Sequence, residues 1–71
     1  MTTLEKAQFI TNRESGIGLS VNTLARYAKY HPSTISHYIN ESKEGNPRLE
    51  RSIEIGIQEW YEDVKKFMTQ E

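Results

Sequence analysis

Residues 24–40, LARYAKYHPSTISHYIN, decide the fold. Pro32 disfavours the helical conformation for the residue before it but suits the first turn of a new helix. A helix therefore ends around Lys29 or Tyr30, Tyr30 and His31 form a turn, and another helix opens at Pro32. Upstream, Val21, Leu24, Ala25 and Ala28 fall on one helical face while Asn22, Arg26 and Lys29 point elsewhere. Ser20 stands where a cap is needed, with Leu19 and Leu24 spaced for a hydrophobic staple. Downstream, the helix from Pro32 to about Glu41 turns Ile35, Tyr38 and Ile39 inward. Its outer face carries Ser33, Thr34, Ser36, His37 and Asn40, polar but without formal charge. Ala25 and Ala28 predict close approach of these two helices, with Leu24, Tyr30, Ile35 and Tyr38 or Ile39 filling the space around the crossing.

Working outward, Thr2 and Glu5 have the spacing of a capping box, and Leu4, Ala7 and Ile10, with Phe9 beside them, make a helical stripe to about Arg13. The segment 14–19, ESGIGL, has two glycines and no periodicity, so it reads as a loop; no strand precedes its GxG. Residues 42–46, SKEGN, form a second polar loop, after which Asn46-Pro47 opens a long helix over about 47–69. Along that helix Ile53, Ile57, Trp60, Val64 and Phe67 recur with Leu49 ahead of them, an apolar seam that also has heptad-like spacing. The expected fold is a small all-α domain of four helices spanning residues 1–71. Leu49, Ile53, Ile57 and Trp60 are expected to pack across the middle pair. Val64, Phe67 and Met68 are expected either to fold back onto Leu4, Phe9 and Ile10 or to form a homodimer seam through the C-terminal helix.

Composition narrows the chemistry. The 71 residues hold no cysteine and only two histidines, His31 and His37, which argues against thiolate chemistry, a metal centre or a cofactor. No apolar run approaches the ~20 residues that cross a bilayer, so no membrane role is expected, and a cytoplasmic location is. Net charge is -1, but its distribution is uneven: residues 1–40 sum to +2 and residues 41–71 to -3. Between residues 15 and 40 there are two basic residues, two histidines and no acid. That segment can face phosphate.

Two short helices about a tight turn, the second presenting small polar side chains, have the pattern of a helix-turn-helix over about residues 20–41. The residues Leu24-Ala25, Ala28, Tyr30, Thr34-Ile35-Ser36 and Ile39-Asn40 resemble the lambda repressor-like helix-turn-helix superfamily of DNA-binding proteins. Lys29 departs from that pattern where a turn glycine is usual, so it must take a left-handed conformation or loosen the turn. Tyr30 departs from the usual Val or Ile. Over roughly half the chain, STISHYIN, the Gly45-Asn46 loop and IQEWYE are also similar to the N-terminal DNA-binding domain of phage Mu-type transposition ATPases, though no Walker motif is present. The resemblance implies double-stranded DNA as partner and either a small regulator or accessory factor of a phage or mobile element, in a bacterial or phage-encoded, nucleoid-associated setting, or the module of such an ATPase with a transposition partner.

In such motifs the start of the second helix enters the major groove, which points to Ser33, Thr34, Ser36 and His37, with Asn40 at its far end, as DNA-binding residues. Asn22 and Thr23 would meet the phosphate backbone at a helix N-terminus, with Arg26, Lys29 and Lys43 as phosphate clamps. No Arg, Gln or Asn sits early in that helix to make bidentate base contacts, so sequence specificity is expected to be weak. Plainer roles compete for several residues. His31 suits a helix cap, and Tyr27, Tyr30 and Tyr38 suit the core. Glu50, Glu54, Glu59, Glu62 and Asp63 suit a solvated helix face rather than a paired-carboxylate catalytic site, so an enzyme is not expected. The acidic last helix keeps open a protein-binding adaptor on the same fold.

Overall fold

The computed structural model describes residues 2–41 and 46–69, which form four helices: α1 (Thr3–Thr11), α2 (Val21–Ala28), α3 (Pro32–Glu41) and α4 (Pro47–Thr69). The chain is a small all-α domain. Leu4, Ala7, Leu24, Ala25, Ala28, Ile35, Tyr38, Leu49 and Ile53 make one buried cluster, with Leu24, Ile35 and Ile53 fully enclosed.

The capping box is formed: the Glu5 N–H donates to Thr2 Oγ1 at 3.1 Å and the Thr2 N–H to Glu5 Oε1 at 2.9 Å. α1 then stops at Thr11, before Arg13, because Asn12 offers the chain a local alternative. Its side-chain oxygen accepts from the Glu14 and Ser15 N–H groups at 2.8 and 3.1 Å, an Asx-type turn that competes with the helix. The loop doubles back as Ile17 N–H donates to the Phe9 carbonyl and Leu19 N–H to the Ile10 carbonyl. A Cβ at Gly16 would fall 1.8 Å from the Phe9 carbonyl oxygen, so this glycine serves backbone approach.

α2 is capped by the Ser20 hydroxyl and ends at Lys29, whose φ of 63° and ψ of 38° are left-handed. The turn therefore keeps its tight geometry without glycine, at a conformational cost that Lys29 bears. The N–H groups of Lys29 and Tyr30 both end on the Ala25 carbonyl. His31 caps α3: its carbonyl accepts from Thr34 and Ile35, and its Nδ1 accepts from the Ser33 N–H at 3.2 Å with Ser33 Oγ at 2.8 Å.

α4 spans 23 residues, about 34 Å at 1.5 Å per residue, and Asn46 caps it. Leu49, Ile53 and Gly56 are buried, Ile57 and Trp60 only partly, so the seam turns through Gly56. The expected close crossing at Ala28 is made with α4: a Cβ on Gly56 would stand 2.8 Å from the Ala28 nitrogen. The fold-back of the C-terminal end does not occur, since Phe67 is 80% and Met68 73% exposed, and every residue from 61 to 69 is exposed. α4 meets the start of α1 at Glu54, crosses α2 at Gly56 and reaches Tyr27 again at Asp63, after which its exposed end runs on past the body.

The acids of α4 are not simply a solvated face. Glu54 receives Lys6 Nζ at 3.0 Å and Thr3 Oγ1 at 3.0 Å, tying α4 to α1. Glu50 receives the Tyr38 hydroxyl at 2.7 Å, tying it to α3, and Asp63 receives the Tyr27 hydroxyl at 2.7 Å, tying it to α2. Only the apolar periodicity was readable as packing; the polar ties depend on which residues the fold brings opposite one another.

Candidate nucleic-acid interface

The turn at 29–31 sets the start of α3 against α2, leaving an open groove of about 440 Å³ lined by Asn22, Ala25, Arg26, Tyr30 and Pro32. Asn22 and Arg26 thus meet the first turn of α3 across this groove. On the outer side of α3, Ser33, Thr34, His37 and Asn40 are exposed and Ser36 is half-buried. The inner side of the same helix carries Ile35 and Tyr38 into the core, which fixes α3 in rotation and keeps its polar stripe outward.

Local bonds shape that stripe. The Asn40 side-chain amide donates to Ser36 Oγ at 3.1 Å, so the two groups hold each other one turn apart. His37 Nδ1 lies 3.3 Å from Glu41 Oε1, which puts an acid at the far end of an otherwise uncharged face. Ser33 is bound to the His31 ring, so its hydroxyl is oriented by the cap. Thr34 stands exposed between them.

Arg26 also borders a second groove, about 310 Å³, with Thr23, Tyr27, Lys29 and Glu59. Here the basic residues of α2 face an acid of α4. Asp63 lies one turn further along α4, where it raises the Tyr27 hydroxyl above the usual tyrosine range chiefly by accepting its proton in a hydrogen bond. Sequence reasoning missed Glu59 and Asp63 as neighbours of this face. Their spacing of four along one helix is visible, but nothing in the sequence gives the rotation of α4 over α2.

Of the residues expected to touch DNA, Asn22, Thr23, Arg26 and Lys29 gather along α2 and its cap, and Ser33, Thr34, Ser36, His37 and Asn40 lie along α3. Lys43 lies outside the described residues. Tyr38 is core and Tyr30 packs against it, whereas Tyr27 is only half-buried and serves as a tie to Asp63. Among the described residues no cluster of His, Asp or Glu could hold a metal ion, and no helix is long and apolar enough to cross a membrane. Comparison of the chain with family models, curated proteins and solved structures finds no match in any of the three.

Proposed function

We propose that the chain binds double-stranded DNA through α2 and α3, with α3 in the major groove and the start of α2 on the phosphate backbone. The observation that carries this reading is the outer face of α3. From Ser33 to Asn40 its exposed side chains are small or medium, polar and free of acid, and the groove between α2 and the start of α3 is bordered by Asn22 and Arg26. An α-helix fits the major groove, and polar side chains near its N-terminal end reach phosphates and base edges there.

Specificity on this reading is weak. No arginine or glutamine stands on α3 to grip a base with two hydrogen bonds, and the Asn40 amide is engaged with Ser36. Phosphate contacts then supply most of the affinity, which makes binding strongly dependent on salt. Such a module suits a small regulator or accessory factor of a mobile element, or the DNA-binding part of a Mu-type transposition ATPase. The acidic flank of α4 favours a second reading, in which the same polar face binds a protein.

An amide NMR titration with a short mixed-sequence duplex separates the two. DNA binding predicts shifts at Asn22, Thr23, Ser33, Thr34 and His37 that fade at about 200 mM salt. A dispersed spectrum in which those residues stay still would overturn DNA binding in favour of the protein partner.

A further inference from the structure

Arg26 and Lys29 are the basic side chains nearest the proposed DNA face, yet they do not open onto it alone. Both line the groove that Glu59 closes from α4, together with Thr23 and Tyr27. Glu59 and Lys29 also share the neighbouring hollow with Tyr27, Ala28, Ser52 and Ile55. One turn beyond Glu59, Asp63 holds the Tyr27 hydroxyl at 2.7 Å, which fixes a second carboxylate over the same flank of α2. All four charged residues are exposed, and neither Arg26 nor Lys29 is within ion-pair distance of a carboxylate among the described residues. The acids therefore act on this flank through the field they set up, which salt screens.

A phosphate approaching Arg26 from the α3 side meets Asn22, Tyr30 and Pro32, with no acid in that groove. Approaching from the α4 side, it meets Glu59. We infer that Glu59 and Asp63 are binding-determining residues that bound the DNA footprint along α2, repelling phosphate from the Lys29 side and holding down the affinity of Arg26 and Lys29 for the backbone. This rests on the DNA-binding reading and deepens it. The contact surface ends at Tyr27, and the backbone is admitted along the start of α2 and the α3-facing side of Arg26.

The test is fluorescence anisotropy of the whole chain with a labelled mixed-sequence duplex at about 50 mM and about 200 mM salt. Three variants are compared: E59Q, D63N and E62Q. D63N keeps an oxygen to accept from Tyr27, so the tie to α2 survives. E62Q makes the same change in net charge, but Glu62 accepts from Gln58 on its own helix at 3.3 Å rather than lining either groove. E59Q is expected to bind about 3- to 10-fold tighter at the lower salt, D63N somewhat less so, with the gain shrinking at the higher salt, and E62Q to stay within about twofold of the parent. If the parent binds and E59Q is unchanged, or E59Q and E62Q gain by the same factor, the inference fails while DNA binding stands. If no protein in the series binds even at the lower salt, the DNA-binding reading fails and the inference falls with it.

Discussion

Gly56 of α4 lies against the backbone of Ala28 of α2, so closely that a Cβ on Gly56 would stand 2.8 Å from the Ala28 nitrogen and 3.0 Å from its Cα. The neighbours that a side chain would meet are main-chain atoms, which cannot swing aside. Gly56→Ala should gain about 1 kcal/mol of helix propensity and lose about 1–3 kcal/mol to overpacking. A net loss is expected, seen as a lower urea midpoint. An unchanged or raised midpoint would mean that α2 and α4 part easily at this point.

The two halves of the α4 seam should behave differently. Ile53 is fully buried in the core, so Ile53→Ala should cost about 2–4 kcal/mol. Phe67, 80% exposed, should tolerate Phe67→Ala within about 0.5 kcal/mol. Equal losses at the two positions, measured by chemical denaturation, would show that the end of α4 is covered after all.

Two groups link stability to pH at opposite ends of the scale. Glu5 is held below the ordinary carboxylate range, first by the backbone hydrogen bond from Thr2 and then by the Thr2 hydroxyl. Its contribution is present above the ordinary value and is lost as pH falls through the lowered one. Tyr27 is raised, so its contribution is present below the ordinary tyrosine value and is lost as pH rises through the raised one. Thermal midpoints should therefore fall less steeply for Glu5→Ala than for the parent from about pH 5 down to about pH 3, and less steeply for Tyr27→Phe from about pH 9 to about pH 11. Glu5 is exposed and the Tyr27 hydrogen bond lies at the surface, so the differences should be small. Parallel curves for parent and variants would contradict the assigned ties.

The local rules carried the reading a long way. Pro32 placed the turn, Ser20, Asn46 and Thr2 placed helix starts, and the apolar spacing gave Leu4, Leu24, Ile35, Leu49 and Ile53 as core. What failed was information that no local pattern contains. Asn12 ended α1 early because a side-chain turn outcompeted two more helical residues. Gly56 reads as a weak point in a helix until Ala28 is seen beneath it. Glu50, Glu54 and Asp63 read as solvated until Tyr38, Lys6 and Tyr27 arrive from other helices. The polar stripe of α3 was legible because it is the complement of Ile35 and Tyr38 on one helix; the acid beside Arg26 was not, because it belongs to another.

The central proposal is that the outer face of α3 meets DNA, and Thr34→Glu tests it most directly. Thr34 is exposed in the first turn of α3, where a carboxylate suits the helix dipole, so the variant should fold with an unchanged or slightly raised melting temperature. Facing a phosphate-lined groove, the new charge should cost at least about tenfold in affinity for a mixed-sequence duplex at low salt. A folded Thr34→Glu protein that binds as tightly as the parent would contradict the proposal and move the search to another face.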